Sequence, residues 1–222
     1  MPDVTRLYLV RHGATNLTAE DKFSGAEGAE LSDEGRRQAA RLGDRLSREN
    51  VCAIYTSPLS RTMDTARAIS APCGINDLRT RDGLREISHG HWEGHTRKEV
   101  EAKFPAEYAA WEQDPFTFAP KAGESGVEVL ARALPVIREI VTTHTGQRVV
   151  VVSHKATIRL LLCSLLGFDP RGYRDRLDQS PACLNVLDFR DPVRCRLMLF
   201  NDTSHYSSQP RVSVHNLSRW SG

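Results

Sequence analysis

Two histidines stand directly after two of the most apolar short runs of the chain. Arg11-His12-Gly13 closes residues 6–10, Arg-Leu-Tyr-Leu-Val, and Ser153-His154 closes the all-valine run at 149–152. Apolar, β-branched runs of this length read as strands covered on both faces of a parallel sheet, and in open α/β sheets ligands bind beyond the carboxyl ends of strands. An unprotonated imidazole placed there can act as a nucleophile or move a proton. An arginine beside it presents a planar fork of donors suited to phosphate or carboxylate. The tripeptide alone is weak evidence, because a lone buried histidine is usually a hydrogen-bonded core residue. His89, His91 and His95 form another group. Their spacing is not the pairing of a His-Glu-x-x-His helix and no cysteine accompanies them, so no metal ligand set is read there.

Holding two histidines at strand ends requires strands that alternate with helices. After Ser32, a helix cap, residues 33–47 place Ala39, Leu42, Gly43 and Leu46 on one stripe. A strand at 52–56 precedes a helix over 58–69, with Pro58 tolerated at its start. Residues 82–126 are less regular, with helical pieces at 97–104 and 106–113, and such segments often carry specificity. Residues 127–143 read as a long helix that Pro135 is expected to kink. The strand at 149–152 leads into a helix at 156–166, and strands at 184–189 and 194–200 flank Asp191-Pro192. The alternation predicts an α/β fold: a three-layer α/β/α sandwich whose mostly parallel central sheet takes one antiparallel strand from that last hairpin. Nothing marks an internal boundary, so residues 1–222 read as one domain with 203–222 as a C-terminal tail.

Bulk composition narrows the class of function. The formal charge of +2 carries no electrostatic footprint for nucleic acid or an acidic membrane surface, which favours a small-molecule partner. Arginine supplies 25 of the 30 basic residues, a bias that suits oxyanions but that coding composition would also produce. Five cysteines without a C-x-x-C pair argue against a disulfide framework and a thiolate zinc site. The apolar stretch at 7–10 is too short for a signal peptide, and 160–166 falls far short of the ~20 residues that span a bilayer. A cytoplasmic protein is expected.

The surroundings of the two histidines carry the stronger signal. Leu9-Val10-Arg11-His12-Gly13-Ala14-Thr15 is followed by Phe23-Ser24-Gly25 and then by Leu31-Ser32-x-x-Gly35-x-x-Gln38-Ala39. Next come Thr56-Ser57-Pro58-Leu59-x-Arg61-x-x-x-Thr65-Ala66, Leu84-x-Glu86 with Gly90-x-Trp92-Glu93-Gly94, Gly123-Glu124-Ser125, and the Val-Val-Ser-His segment ending at His154. In order and spacing these blocks resemble the histidine phosphatase superfamily, also called the phosphoglycerate mutase-like family, over about residues 7–200. The resemblance implies a metal-free phosphohydrolase without a cofactor. His12 would be the nucleophile, Arg11, Arg61 and His154 would hold the phosphoryl oxygens, and Glu86 would be the general acid and base. A neutral imidazole can form a labile phosphohistidine, and preorganised cations offset the charge that spreads over the equatorial oxygens. A leaving alkoxide needs a proton, which Glu86 supplies if its surroundings let it hold one. A helix is expected to begin immediately after His154, its free amides adding positive potential near the phosphate.

Thr18, Ser24, Gly25, His91 and Lys155 are the candidate substrate-binding residues. The chain departs from the family where Ala14 replaces a common glutamate, Thr18 a common asparagine, Gly28 a common aspartate and Lys155 a common glycine. A lysine after the second histidine either favours substrates carrying another anion or turns outward. The compact middle segment resembles the phosphatase branch more than the longer mutases. Mutase-type phosphoryl transfer and a noncatalytic phospholigand-binding or regulatory role are the alternatives, and retention of both histidines and both arginines argues against the latter. His205 or Tyr206 in the tail is expected to approach the mouth of the site, and a homodimer is compatible with the resemblance.

Overall fold

The computed structural model describes residues 4–16, 22–25 and 29–207. Six strands form one sheet in the order β3-β2-β4-β1-β5-β6. They are β1 (Thr5–Arg11), β2 (Ala53–Thr56), β3 (Leu78–Thr80), β4 (Arg148–Ser153), β5 (Leu184–Phe189) and β6 (Cys195–Asp202). β1, β2, β3 and β4 are parallel, and β5 pairs antiparallel with both β1 and β6. β5 is therefore the single strand running against the rest, as the final hairpin predicted. β3 was not expected: its three residues, Leu-Arg-Thr, are only partly buried at the sheet edge and carry no apolar run.

Period-two alternation along the central strands builds the two outer layers. Leu7, Leu9, Val149 and Val151 face α5 (Gly126–Thr143) and α6 (Lys155–Leu166), packing with Ile137, Ile140, Ile158 and Leu161. Tyr8, Val10, Val150 and Val152 face the other way, onto Leu42 and Leu46 of α1 (Asp33–Leu46) and Ile69 of α2 (Ser60–Cys73). Each fully buried aliphatic side chain contributes roughly 1.5–3 kcal/mol, so this double coverage is what fixes β4 and β1 side by side at the centre. Ser32 caps α1 by accepting from the Gly35 amide, and Ser125 and Glu128 form a reciprocal capping box at the start of α5.

One helix boundary needs correction. α2 begins at Ser60, because Leu59 is still extended and Ser57 Oγ accepts the Leu59 amide. Residues 126–143 form one helix with Pro135 inside it. The irregular middle contains α3 (Arg97–Lys103) and α4 (Pro105–Gln113), which fold over an aromatic cluster of Phe23, Trp92 and Trp111 with Phe104, Tyr108 and Phe118 against it. A short helix α7 (Tyr173–Arg176) follows α6. Among the described residues no helix is long and apolar enough to cross a membrane.

Candidate active site

The sheet register brings the two histidines together. Arg11 pairs with Ser153 across β1 and β4, so His12 and His154 are the next residues beyond the ladder on neighbouring strands. The His12 amide extends the ladder to Ser153 O at 3.1 Å, and the imidazole centroids are 5.2 Å apart. β2 ends beside β4, and the Ser57 amide donates to Val152 O. Three parallel strands thus deliver His12, Ser57 and His154 to one end of the sheet.

His12 is 5% exposed, and its Nδ1 is 2.8 Å from Gly13 O. A carbonyl only accepts, so Nδ1 carries the proton and Nε2 keeps its lone pair. Burial, followed by Arg11 and Arg61, holds this imidazole well below the usual histidine range. Gly13 is needed because a Cβ there would collide with the Gly35 carbonyl at the start of α1. The Gly13 amide donates to Thr65 Oγ1 and the Ala14 amide to Gln38 Oε1, anchoring the loop after His12 to α2 and α1.

His154 is fully buried and receives Arg61 Nε on Nδ1 at 3.2 Å. Arginine only donates, so in the neutral ring Nε2 carries the proton and donates to Ser57 Oγ, 2.8 Å away. Burial, then Arg61 and His12, again favour the neutral form. Arg61, itself 3% exposed, also gives Nη2 to Gly25 O at 2.7 Å. Arg11 donates through Nη1 to Gln179 O at 2.6 Å, while its Nε is buried with no partner among the described residues. Burial works against the charge of both guanidinium groups, so an anion entering between them would regain lost electrostatic stabilisation.

Glu86 is 9% exposed and is surrounded by donors. Oε1 accepts from the amides of Ile87 and Thr157 and from Thr157 Oγ1, whereas Oε2 accepts from the Ala156 amide. Here the sequence expectation is corrected: two first-turn amides of α6 bind Glu86, so they are directed at the carboxylate and not at a phosphate. Arg132 of α5 holds the same loop from behind. It donates to the carbonyls of Gly83, Arg85 and Glu86 and forms a fork with Glu124.

The substrate-binding candidates fare unevenly. Gly25 reaches the site through its carbonyl, and Ser24 is partly exposed beside it. Thr18 and Gly28 lie outside the described residues. His91 is drawn into the aromatic region, with Nε2 3.1 Å from Glu107, Nδ1 3.1 Å from Lys121 O and its ring on Phe104. Lys155 is half-buried and turned to Asp178 at 3.5 Å, which corrects the outward alternative. Tyr206 donates to Pro181 O at 2.6 Å, and His205 is half-buried with its ring edge-on to Tyr206 at 4.8 Å.

Sequence reading gave no role to Ser57, Thr65, Gln38, Arg132, Arg159 or Asp178. Gln38 had a usable signal, a polar residue beside Ala39 on the buried stripe of α1, where it is 1% exposed. His89 had been weighed only as a metal ligand. It packs on Phe23 at 4.8 Å and burial pushes it down to about 4 against the pull of Glu86. Among the described residues no group of three or more His, Cys, Asp or Glu side chains is arranged to hold a metal ion.

Comparison with known proteins decides the family. The model described as "Histidine phosphatase superfamily (branch 1)" matches residues 7–203. This chain belongs to that superfamily. Its relatives include phosphoserine phosphatase 1 of Hydrogenobacter thermophilus, 36% identical over 166 residues, which are 75% of this chain and 78% of that protein. A glucosyl-3-phosphoglycerate phosphatase of Mycolicibacterium vanbaalenii is 38% identical over 172 residues, covering 74% and 75%. The solved structure of a mycobacterial glucosyl-3-phosphoglycerate phosphatase superposes with a TM-score of 0.80 at 31% identity, covering 89% of this chain and 99% of that one. This chain shares the fold of that solved structure, a mixed sheet flanked by helices.

Proposed function

We infer that this histidine phosphatase hydrolyses small-molecule phosphate monoesters through a phosphoryl group carried on His12. The observation that carries the reading is the pair of buried imidazoles 5.2 Å apart, with Arg61 bonded to the second and Nε2 of the first left as a free base. In the first step Nε2 attacks phosphorus, the ester P–O bond breaks, and the departing alkoxide takes a proton from the carboxyl group of Glu86. In the second the Glu86 carboxylate takes a proton from water, the resulting hydroxide attacks phosphorus, and the P–N bond breaks to release inorganic phosphate. Oε2, with a single donor against it, is the oxygen suited to exchange that proton. Arg11, Arg61 and the Nε2–H of His154 stabilise the equatorial oxygens, His154 first turning its proton from Ser57 to the phosphoryl group.

The names of relatives acting on phosphoserine and glucosyl-3-phosphoglycerate support a small phosphorylated metabolite as substrate. Five free thiols support a reducing, cytoplasmic setting. The test is a screen of phosphate monoesters in the presence of EDTA, measuring released phosphate and isomerised product together. Phosphate should dominate, an acid-labile adduct should form on His12, and His12→Ala should lose more than about a thousandfold in kcat. Full turnover by His12→Ala would reject the mechanism, and dominance of the isomerised ester would make the protein a mutase.

A further inference from the structure

Two buried amide side chains beside β1 have no part in the chemistry described so far. Asn185 interrupts the apolar run of β5 and is fully buried, and Gln179, in the loop before that strand, is 1% exposed. They bond to each other twice. Asn185 Nδ2 donates to Gln179 Oε1 at 2.7 Å, and Gln179 Nε2 donates to Asn185 Oδ1 at 3.1 Å. Asn185 also donates to Leu9 O and accepts from the Asn201 amide, while Gln179 donates to Asp178 O and accepts from Cys183 Sγ. Every donor and acceptor of both amides is therefore filled. A buried network satisfied in this way adds little stability over an apolar pair of the same shape, but it fixes one geometry.

The geometry it fixes is that of the Gln179 carbonyl. That oxygen takes Arg11 Nη1 at 2.6 Å and is the one hydrogen-bond acceptor of the Arg11 guanidinium among the described residues. We propose that Asn185 and Gln179 are positioning residues for phosphoryl transfer, their reciprocal amide pair holding the Gln179 carbonyl and through it the direction of Arg11. The inference rests on the phosphomonoesterase reading and adds the residues that aim one of its cations.

A guanidinium steadies the transferring group only where its planar fork meets the oxygens, and a misplacement of about 1 Å costs about a hundredfold in rate. Asn185 lies opposite Leu9 in the sheet register, two residues before Arg11 on β1. The amide that grips Gln179 thus also grips the strand from which Arg11 projects, so the base and the tip of that side chain are referred to one rigid point. The far end of the loop, where the Ala182 amide meets His12 O, is held separately, by Tyr206 on Pro181 O and by the turn from the Cys183 amide to Ser180 O. The amide pair therefore acts through Arg11 and not through His12.

Full-length protein carrying Gln179→Met, or Gln179→Met with Asn185→Leu, is compared with the unsubstituted chain, each with and without Arg11→Ala. Turnover of p-nitrophenyl phosphate, inhibition by orthovanadate and thermal melting are measured. Orthovanadate adopts the five-coordinate geometry of the transferring phosphoryl group, so its affinity reads the aim of Arg11 directly. Gln179→Met alone orphans the Asn185 amide and should lower Tm, whereas the double substitution leaves no orphaned side chain and should recover part of that loss. Turnover should not recover with it. In both variants kcat should fall by about 10–100-fold and orthovanadate should bind more weakly by a similar factor. On the Arg11→Ala background the same substitutions should change kcat by less than about twofold, since a shared partner makes the losses non-additive. A folded variant of either kind with unaltered kcat, or a loss that persists undiminished without Arg11, would overturn the positioning role. Gln179→Met leaves β5 unsubstituted, so it decides the matter even where the double variant does not fold. Failure of the phosphatase reading has a different signature, full turnover by His12→Ala.

Discussion

A neutral imidazole beside two guanidinium groups is the residue-scale fact from which the chemistry follows. His12 and His154 are both held well below the ordinary histidine value of 6.5, chiefly by burial. In the unfolded chain they protonate near that value, so below it the unfolded state binds more protons than the folded one. The linkage therefore makes stability complete above pH 6.5 and progressively lost as pH falls below it. The denaturant midpoint should drop between about pH 7 and about pH 5.5, and the ring resonances of both histidines should not titrate over that range. Rings that titrate near 6.5 in the folded protein would contradict the burial argument. His12, Arg11, Arg61 and His154 were legible in the sequence because each sits inside a contiguous block of fixed spacing. Ser57 and Asp178 were not read as site residues, because their meaning comes from what lies beside them in space.

At the scale of elements, the loop carrying Glu86 is trapped between two helices. The α6 amides grip its carboxylate from one side and Arg132 of α5 grips its carbonyl from the other. Arg132→Met should leave phosphate binding in place while misaligning Glu86, the proposed proton donor. Hydrolysis of an alkyl phosphate, whose leaving group needs that proton, should slow by about 10–100-fold. Hydrolysis of p-nitrophenyl phosphate, which leaves as a stable anion, should slow much less. Equal losses on both esters would assign Arg132 to general stability alone. Sequence periodicity revealed α1 and α5 because each buries one apolar stripe. It missed β3, which has no such stripe, and it misdirected the α6 amides because the partner that claims them lies 70 positions earlier in the chain.

Over the whole molecule, the last described residues return to the first strand. Tyr206 donates to Pro181 O, the neighbouring Ala182 amide donates to His12 O, and Ala182 adopts a left-handed conformation to do so. The tail was expected to touch substrate at His205 or Tyr206; the hydrogen bond of Tyr206 also makes it a brace for the loop behind His12. Tyr206→Phe should cost about 0.5–1.5 kcal/mol and lower Tm by about 2–4 °C per kcal/mol. An unchanged melting temperature would remove the brace. The sandwich and the direction of the last hairpin were visible in the order of elements. The spatial order of the strands was not, since it is decided by which apolar faces the helices cover.

That order has a consequence for biogenesis. β1 is synthesised first, but its partner β4 emerges only after the helices and the aromatic region between them. No partly made chain can therefore hold a phosphate between the two imidazoles, and a refolding chain gains enzymatic competence only when the middle of its sheet has closed. Recovery of turnover after dilution from denaturant should lag the early return of helical signal, a delay imposed by long loop closure across distant segments.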